Sequence, residues 1–364
     1  MSALSARAAR PLTAMVAIAL LLGACSSDEP EPTPTTPAAS APDAPEATPE
    51  PEPEPTGIAP LTGASIPEEL AEELATRPAL IVKIENSGPA RPQSGLDDAD
   101  LVLEELVEGG ITRFITIFHS RLPDRVGPVR SARPIDVEVG SGFGTPVFAY
   151  TGARAEVQTL LRGSPLVAIE EGQAPGFERA TDRRSPHNVY LRPEDLLTAG
   201  LDRGAEPVPD LDWVFDERPP RGEVTCEPDD VDCDDPGAEV RVAMSTQSVA
   251  GFTYDADDEV YRRTQDGQPS TVTGDGVIGA ANVVVLAARH YIGGCCDSAG
   301  SPYPETELLG GDRAVVLRDG RRYEARWDKP TVDAPLRIVD EDGEPFPMKP
   351  GPTWLLLPSA SALG

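Results

Sequence analysis

Lysine is nearly missing from this 364-residue chain: only Lys83, Lys329 and Lys349 stand among its 31 basic residues, and the rest are arginine. Positive charge as a whole is short, with 61 acidic residues and a formal net charge of −30. Nucleic-acid binding needs a basic footprint, so no nucleic-acid partner is expected. Histidine is confined to His119, His187 and His290, and cysteine to five positions. That leaves few donors of the kind that hold transition metals, and no metal centre or cofactor is expected. Beyond the N-terminal segment there is no run of eighteen or more apolar residues, so no spanning helix is expected there. The P-loop, nucleophile-elbow, HExxH and GxGxxG signatures are all absent. Gly140-Ser141-Gly142-Phe143-Gly144 is rich in glycine but matches none of them, and Ser141 has no argued base near it, which speaks against a serine hydrolase.

What is present begins with an address. Arg7 and Arg10 precede an apolar stretch over 12–22 that is too short to span a bilayer. It ends in Leu22-Gly23-Ala24-Cys25, which looks like a bacterial lipobox. Residues 1–25 are therefore expected to be a lipoprotein signal, with Cys25 lipidated and the protein anchored on the outer face of the cytoplasmic membrane. Two acyl chains supply the double signal that makes such anchoring stable. Residues 26–60 hold eleven prolines and eight acidic residues, with no lysine or arginine. This composition predicts a disordered tether with a reach on the order of 100 Å.

Setting aside the two signal arginines and the eight tether acids leaves 53 acidic and 29 basic residues, a net charge of −24 on the rest. Its length suits two domains. Over 61–200, helical spacing at 67–75, 135–139, 153–161 and 193–199 alternates with strand-like runs at 79–84, 147–150 and 166–169. That predicts an α/β (or α+β) domain with a mixed sheet, Gly163 and Gly200 serving as helix caps. Residues 201–238 are acidic and proline-rich and read as a linker or long surface loop. Residues 239–358 carry strand-like runs at 240–244, 252–254, 260–263, 282–288, 314–317, 323–327 and 353–357. With turn signals at Asp319-Gly320 and Asp342-Gly343, they predict a mostly-β domain.

The chemically loudest stretch is 104–133, EELVEGGITRFITIFHSRLPDRVGPVRSAR, where five arginines fall within twenty-one residues. Apolar, β-branched runs flank Gly109-Gly110, which predicts a hairpin with a two-residue primed turn. In that register residue 106 faces 113 and 104 faces 115, and alternation places Glu104, Glu108 and Arg113 on one face. GPVRSARP then reads as a turn-rich segment. Guanidinium suits bidentate recognition of phosphate or carboxylate. Arg113, Arg130, Arg133, Arg183 and Arg184 are thus the candidate ligand-binding set, joined by His187 and Asn188 from RSPHNVY. Each arginine could instead pair with one of the 53 acids. Candidate catalytic groups are His187, as general acid or base, and Glu104 and Glu108, as bases or cation ligands. The competing accounts are a loop-holding His187 and glutamates paired with Arg113. In an oxidising compartment Cys226, Cys233, Cys295 and Cys296 favour disulfides, with three pairings open.

RPALIVKIENSGPARPQSGLDDADLVLEELVEGGITRFITIFHS, VGPVRSARP and RSPHNVY closely resemble the YerB-like bacterial lipoprotein family, whose paired N- and C-terminal domains are of unknown function. VYRRTQDGQP, ANVVVL and PGPTWLLLP extend the resemblance to the second half, so that it covers nearly all of 60–358. Two features depart from the family: Gly267-Gln268-Pro269-Ser270 stands where it often reads G-x-P-His, and the 226–233 cysteine insertion lies outside its pattern. The resemblance implies an envelope location and supplies no activity. Two function classes follow. One is a non-catalytic envelope module that binds an anionic glycan, a lipid phosphate or a wall-assembly protein through the arginines. The other is an envelope enzyme acting on a phosphorylated or glycosidic substrate, loosely similar to the LytR-CpsA-Psr phosphotransferases. Only this alternative would call for a divalent cation.

Overall fold

A computed structural model of the chain describes residues 57–221, 237–274, 276–294 and 300–358. The signal, nearly all of the tether and all five cysteines lie outside the described residues, so lipidation at Cys25 and the four-cysteine disulfide set stay as expectations.

The first half supplies β1 (Leu80–Glu85), β2 (Leu101–Leu106), β3 (Thr112–Phe118), β4 (Val147–Tyr150) and β5 (Val167–Glu170). The second supplies β6 (Glu239–Ala243), β7 (Val249–Asp255), β8 (Val260–Gln265), β9 (Asn282–Leu286), β10 (Gly310–Arg318), β11 (Arg321–Lys329), β12 (Arg337–Val339) and β13 (Thr353–Leu357). Among the described residues the α-helices are four, α1 (Glu68–Leu74), α2 (Pro134–Ser141), α3 (Ala155–Gly163) and α4 (Pro193–Leu201), all in the first half. The mixed sheet expected there and the strand-dominated second half are both present.

They are not separate layers, however. One ten-stranded sheet runs in the order β12-β11-β10-β9-β13-β2-β3-β1-β4-β5. The join is β13, which pairs in parallel with β9 on one side and with β2 on the other. The segment expected to link two domains also takes part in the packing: Leu211 is buried, and Trp213 and Phe215 pack on the core.

Both faces of the sheet are covered, which is why β1 reads LIVKIE with every residue buried. One face places Val82, Val102, Phe114 and Trp354 against Phe252 and Tyr261 of the smaller β6–β8 sheet. The other places Ile81, Leu103, Ile115 and Leu355 with Ile135 and Val139 of α2 and Val157 and Leu161 of α3. Pro134 opens α2, and Asp136 accepts the Arg133 backbone N–H at 2.7 Å.

Gly163 and Gly200 sit inside α3 and α4 rather than capping them. Gly200 is needed for close approach: a Cβ there would lie 2.1 Å from Val147 Cγ2. Alanine normally favours a helix over glycine by about 1 kcal/mol, but here overpacking dominates. Gly200→Ala is expected to lower stability by about 1–3 kcal/mol in thermal or urea unfolding. A stabilised variant would show that Val147 yields freely.

The turn at Asp319-Gly320 is the expected two-residue primed type, with positive φ at both residues and Arg318 facing Arg321. The turn at Gly109-Gly110 is not. The connection spans 107–111, closed by Val107 N donating to Ile111 O at 2.9 Å, and Ser245 Oγ donates to Gly110 O at 2.6 Å. Leu106 therefore faces Thr112 and Glu105 faces Arg113, one residue away from the expected register. A slip of one sends a side chain to the other face. Glu104 and Arg113 consequently lie on opposite faces, which removes Glu104 from the predicted grouping and leaves Glu108 with Arg113.

Candidate functional site

Three stretches meet at the end of β1. Where β4 has finished, 126–130 takes its place beside β1: Arg130 N donates to Lys83 O at 2.8 Å and Glu85 N to Pro128 O at 2.9 Å. The Val189–Leu191 strand pairs with the outer side of 126–130, with Val129 N donating to Val189 O at 2.7 Å. VGPVR is thus an extended rung rather than a turn. Val126 and Val129 are fully buried, and that burial fixes it in place.

This arrangement carries Arg130 and His187 to the same carboxylate. His187 Nδ1 lies 2.9 Å from both oxygens of Glu85, and Arg130 Nε lies 3.5 Å from Glu85 Oε2. Arg113 stands opposite Glu85 across the β1–β3 ladder. It donates to Ser131 O at 3.0 Å, and its Nη2 lies 3.9 Å from Glu108 Oε2. Arg133 donates to the same Glu108 oxygen at 2.5 Å and to Ala132 O at 2.8 Å.

Burial, followed by repulsion from Arg133 and Arg130, brings the Arg113 guanidinium down to about 10, still cationic at neutral pH. Burial also resists charge on Glu108, but the Arg133 hydrogen bond and charge, with Arg113 adding to them, hold its carboxyl below the usual range. Behind this group Lys83 bonds both Glu105 and Asp136, at 2.6 Å to the latter. Burial raises the Glu105 carboxyl, an effect that Lys83 opposes.

Arg113, Arg130, Arg133, Glu108 and His187 therefore converge, and the other predicted residues stand at their margin. Arg183 donates to Pro92 O at 2.7 Å and Pro89 O at 3.3 Å, and Arg184 is exposed. Asn188 closes the base of its loop, donating to Ala180 O at 3.2 Å and accepting from Arg179 at 3.3 Å. Lys83, Arg113, Arg130 and Arg133 meet Glu85, Glu105, Glu108 and Asp136 here, so the corner holds as many cations as anions in a strongly acidic protein. Four buried atoms here have no hydrogen-bond partner: the Nε of Arg113, Arg130 and Arg133, and Glu108 Oε1. Among the described residues no group of three or more His, Cys, Asp or Glu could hold a metal ion.

Glu104 belongs elsewhere. On the opposite face and fully buried, it accepts from Arg263 Nη2 at 2.7 Å, Thr112 Oγ1 at 2.7 Å and Asn86 Nδ2 at 3.3 Å. All these partners hold it in the core, so it is not placed to act as a catalytic base. The sequence reading missed Arg263, which is 98% shielded and lies over Trp354 and Phe114 at 4.8 and 5.2 Å. Period-two alternation from Tyr261 through Arg263 to Gln265 was the available signal, and all three are buried. Ser270 accepts from Arg263 Nη1 at 2.8 Å. His119 is buried beside Arg77 O, in keeping with a structural role.

Comparison with known proteins agrees over the same span. Residues 61–206 match the N-terminal domain, and residues 240–355 the C-terminal domain, of the family described as protein of unknown function DUF3048. YerB of Bacillus subtilis strain 168, a protein named as a lipoprotein, is 32% identical over 308 residues, which cover 82% of this chain and 85% of that protein. The crystal structure of Bacillus subtilis YerB superposes with a TM-score of 0.68 at 28% identity, covering 84% of this chain and 98% of that one. With both domains matched in order and the relative aligned across both, the chain belongs to the YerB-like DUF3048 family.

Proposed function

We propose that this protein is a non-catalytic module of the bacterial cell envelope, held to the outer face of the cytoplasmic membrane through lipidated Cys25, that binds an anionic group at the arginine corner. The lipobox sequence and the lipoprotein name of its Bacillus relative support the anchor. The observation that carries the binding reading is the convergence of Arg113, Arg130 and Arg133, whose buried Nε donors make no hydrogen bond, that of Arg130 standing 3.5 Å from Glu85 Oε2. Buried N–H groups without partners are costly, and an incoming oxyanion would satisfy them. The chemistry fits the phosphate or carboxylate of an envelope glycan, a lipid phosphate, or an acidic patch on a wall-assembly protein.

The test is thermal stability of the protein against polyprenyl phosphates, wall-polymer fragments and muropeptides. One ligand class is expected to raise the midpoint, and Arg130→Ala, at the partly exposed rim, is expected to remove the rise. No shift with any compound would leave these arginines as internal ion pairs.

A second reading rests on one contact, the Glu85 carboxylate against His187 Nδ1, an arrangement that orients an imidazole for general acid or base work. Under it the protein is an enzyme on a phosphorylated or glycosidic envelope substrate. His187→Gln would then abolish turnover while leaving ligand binding in place.

A further inference from the structure

A cleft opens on the other sheet face, between the loop that follows β1 and the β8 strand of the smaller sheet. It encloses about 250 Å³ and is lined by Asn86, Arg91, Gln93, Arg263, Gln265 and Ser270. Ligand pockets for drug-sized molecules run to roughly 300–1,000 Å³, so the space suits something nearer one ring. Its walls are braced from behind. Asn86 Nδ2 donates to Gln265 Oε1 at 2.7 Å, joining the two sheets, and Gln93 Nε2 donates to Glu85 O at 3.0 Å. Gln265 Nε2 donates to Ser248 Oγ at 3.0 Å. Arg263 is clamped by Glu104, Gln265 and Ser270, yet its buried Nε has no partner. Side chains locked in this way can present fixed donors and acceptors to a ligand.

We infer that this cleft is a binding site for a neutral polyhydroxylated group, one sugar ring in size, separate from the arginine corner. Charge balance decides the chemistry. Arg263 is paired with Glu104, and Arg91 faces Asp266 at 3.5 Å, so the four charges around the cleft cancel. An anion would find no surplus charge there. Asn86 and Gln265 spend their amides on the brace, so what remains for a ligand is the Gln268 amide and the Ser270 and Thr271 hydroxyls, which donate and accept in turn as the hydroxyls of a sugar do. Pro92 and Pro269 add apolar surface against which the C–H side of a ring can rest.

The experiment is calorimetric titration and saturation-transfer NMR of the full-length chain with glucose, galactose, mannose and N-acetylglucosamine, with inorganic phosphate in parallel. At least one sugar is expected to bind with an affinity that added salt leaves unchanged, because no net charge is involved. Ser270→Trp, at the half-exposed lip, is expected to fill the cleft and abolish binding. Gln268→Ala, at an exposed position of the lining, is expected to weaken it about tenfold. Arg130→Ala is expected to leave it unchanged, which separates this site from the anion site. The inference is overturned if none of the sugars binds the folded chain, if Gln268→Ala and a folded Ser270→Trp both bind as wild type does, or if phosphate competes for the site.

Discussion

Replacing Lys83 with methionine is expected to lower stability by about 3–5 kcal/mol, the usual result of stripping one partner from a buried ion pair. Lys83 is fully buried and bonds both Glu105 and Asp136, which are themselves almost wholly buried. Methionine is unbranched and only one heavy atom shorter, so packing changes little beside the loss of the charge. Two carboxylates would then face one another with no cation between them. The pH dependence identifies the cause. The Glu105 carboxyl is already raised by burial, with Asp136 adding to the rise. A raised acid favours the folded state at low pH, where both folded and unfolded forms hold the proton. That contribution is lost as pH rises from the ordinary carboxylate range through the folded value. Without Lys83 the rise grows, so the deficit against wild type should be largest at neutral pH and shrink as pH falls towards the ordinary range. Chemical denaturation at several pH values reads this directly. A deficit that is the same at every pH would point to packing instead, and Glu105→Gln in the Lys83→Met background should then restore nothing.

Ending the chain after Pro352 is expected to abolish cooperative folding. The truncation removes β13 from the middle of the ten-stranded sheet, together with Trp354, Leu355, Leu356 and Leu357, all buried. Truncating a single large core side chain costs about 3–5 kcal/mol, against a total stability of about 5–15 kcal/mol, so losing four exceeds what the fold can spare. The loss also bares two long apolar edges, on β2 and β9, which favour association with other chains. For the same reason neither half, expressed alone, should show the sharp near-ultraviolet dichroism and single unfolding transition of the whole. Either half giving both would mean that the sheet is two independent sheets in contact.

Much of this fold was legible because it is written locally. The run at 147–150 coincides with β4, 353–357 with β13, and the acidic PEELAEELA segment with α1, each from its own pattern and length. The Asp319-Gly320 turn follows from two residues that accept positive φ. Gly109-Gly110 looks equivalent, but Glu108 is drawn away to Arg133 and Gly110 O is held by Ser245, so contacts far along the chain set the register. The site divides in the same way. The arginines could be named from their density and Glu108 as a partner of Arg113, but Glu85, which holds Arg130 and His187, carries no local mark as a partner. Glu104 shows this most plainly: it read as a base, a cation ligand or a partner of Arg113, and the partner it has, Arg263, lies 159 positions away. Which half of the chain owns which part of the sheet was not readable, because parallel pairing of β13 with β2 leaves no short-range signature.

The place of β13 also sets when this protein can exist. A strand drawn from residues 353–357 sits at the centre of a sheet whose other members begin at residue 80. A chain emerging N-terminus first, from the ribosome or through an export channel, must therefore wait for nearly its whole length before the sheet can close. Until then it stays threadable, which is the form that export in an unfolded state requires. A nascent chain that stops early is left with open edges for proteases to find. The late strand thus makes completion of the sheet conditional on synthesis having run through to it.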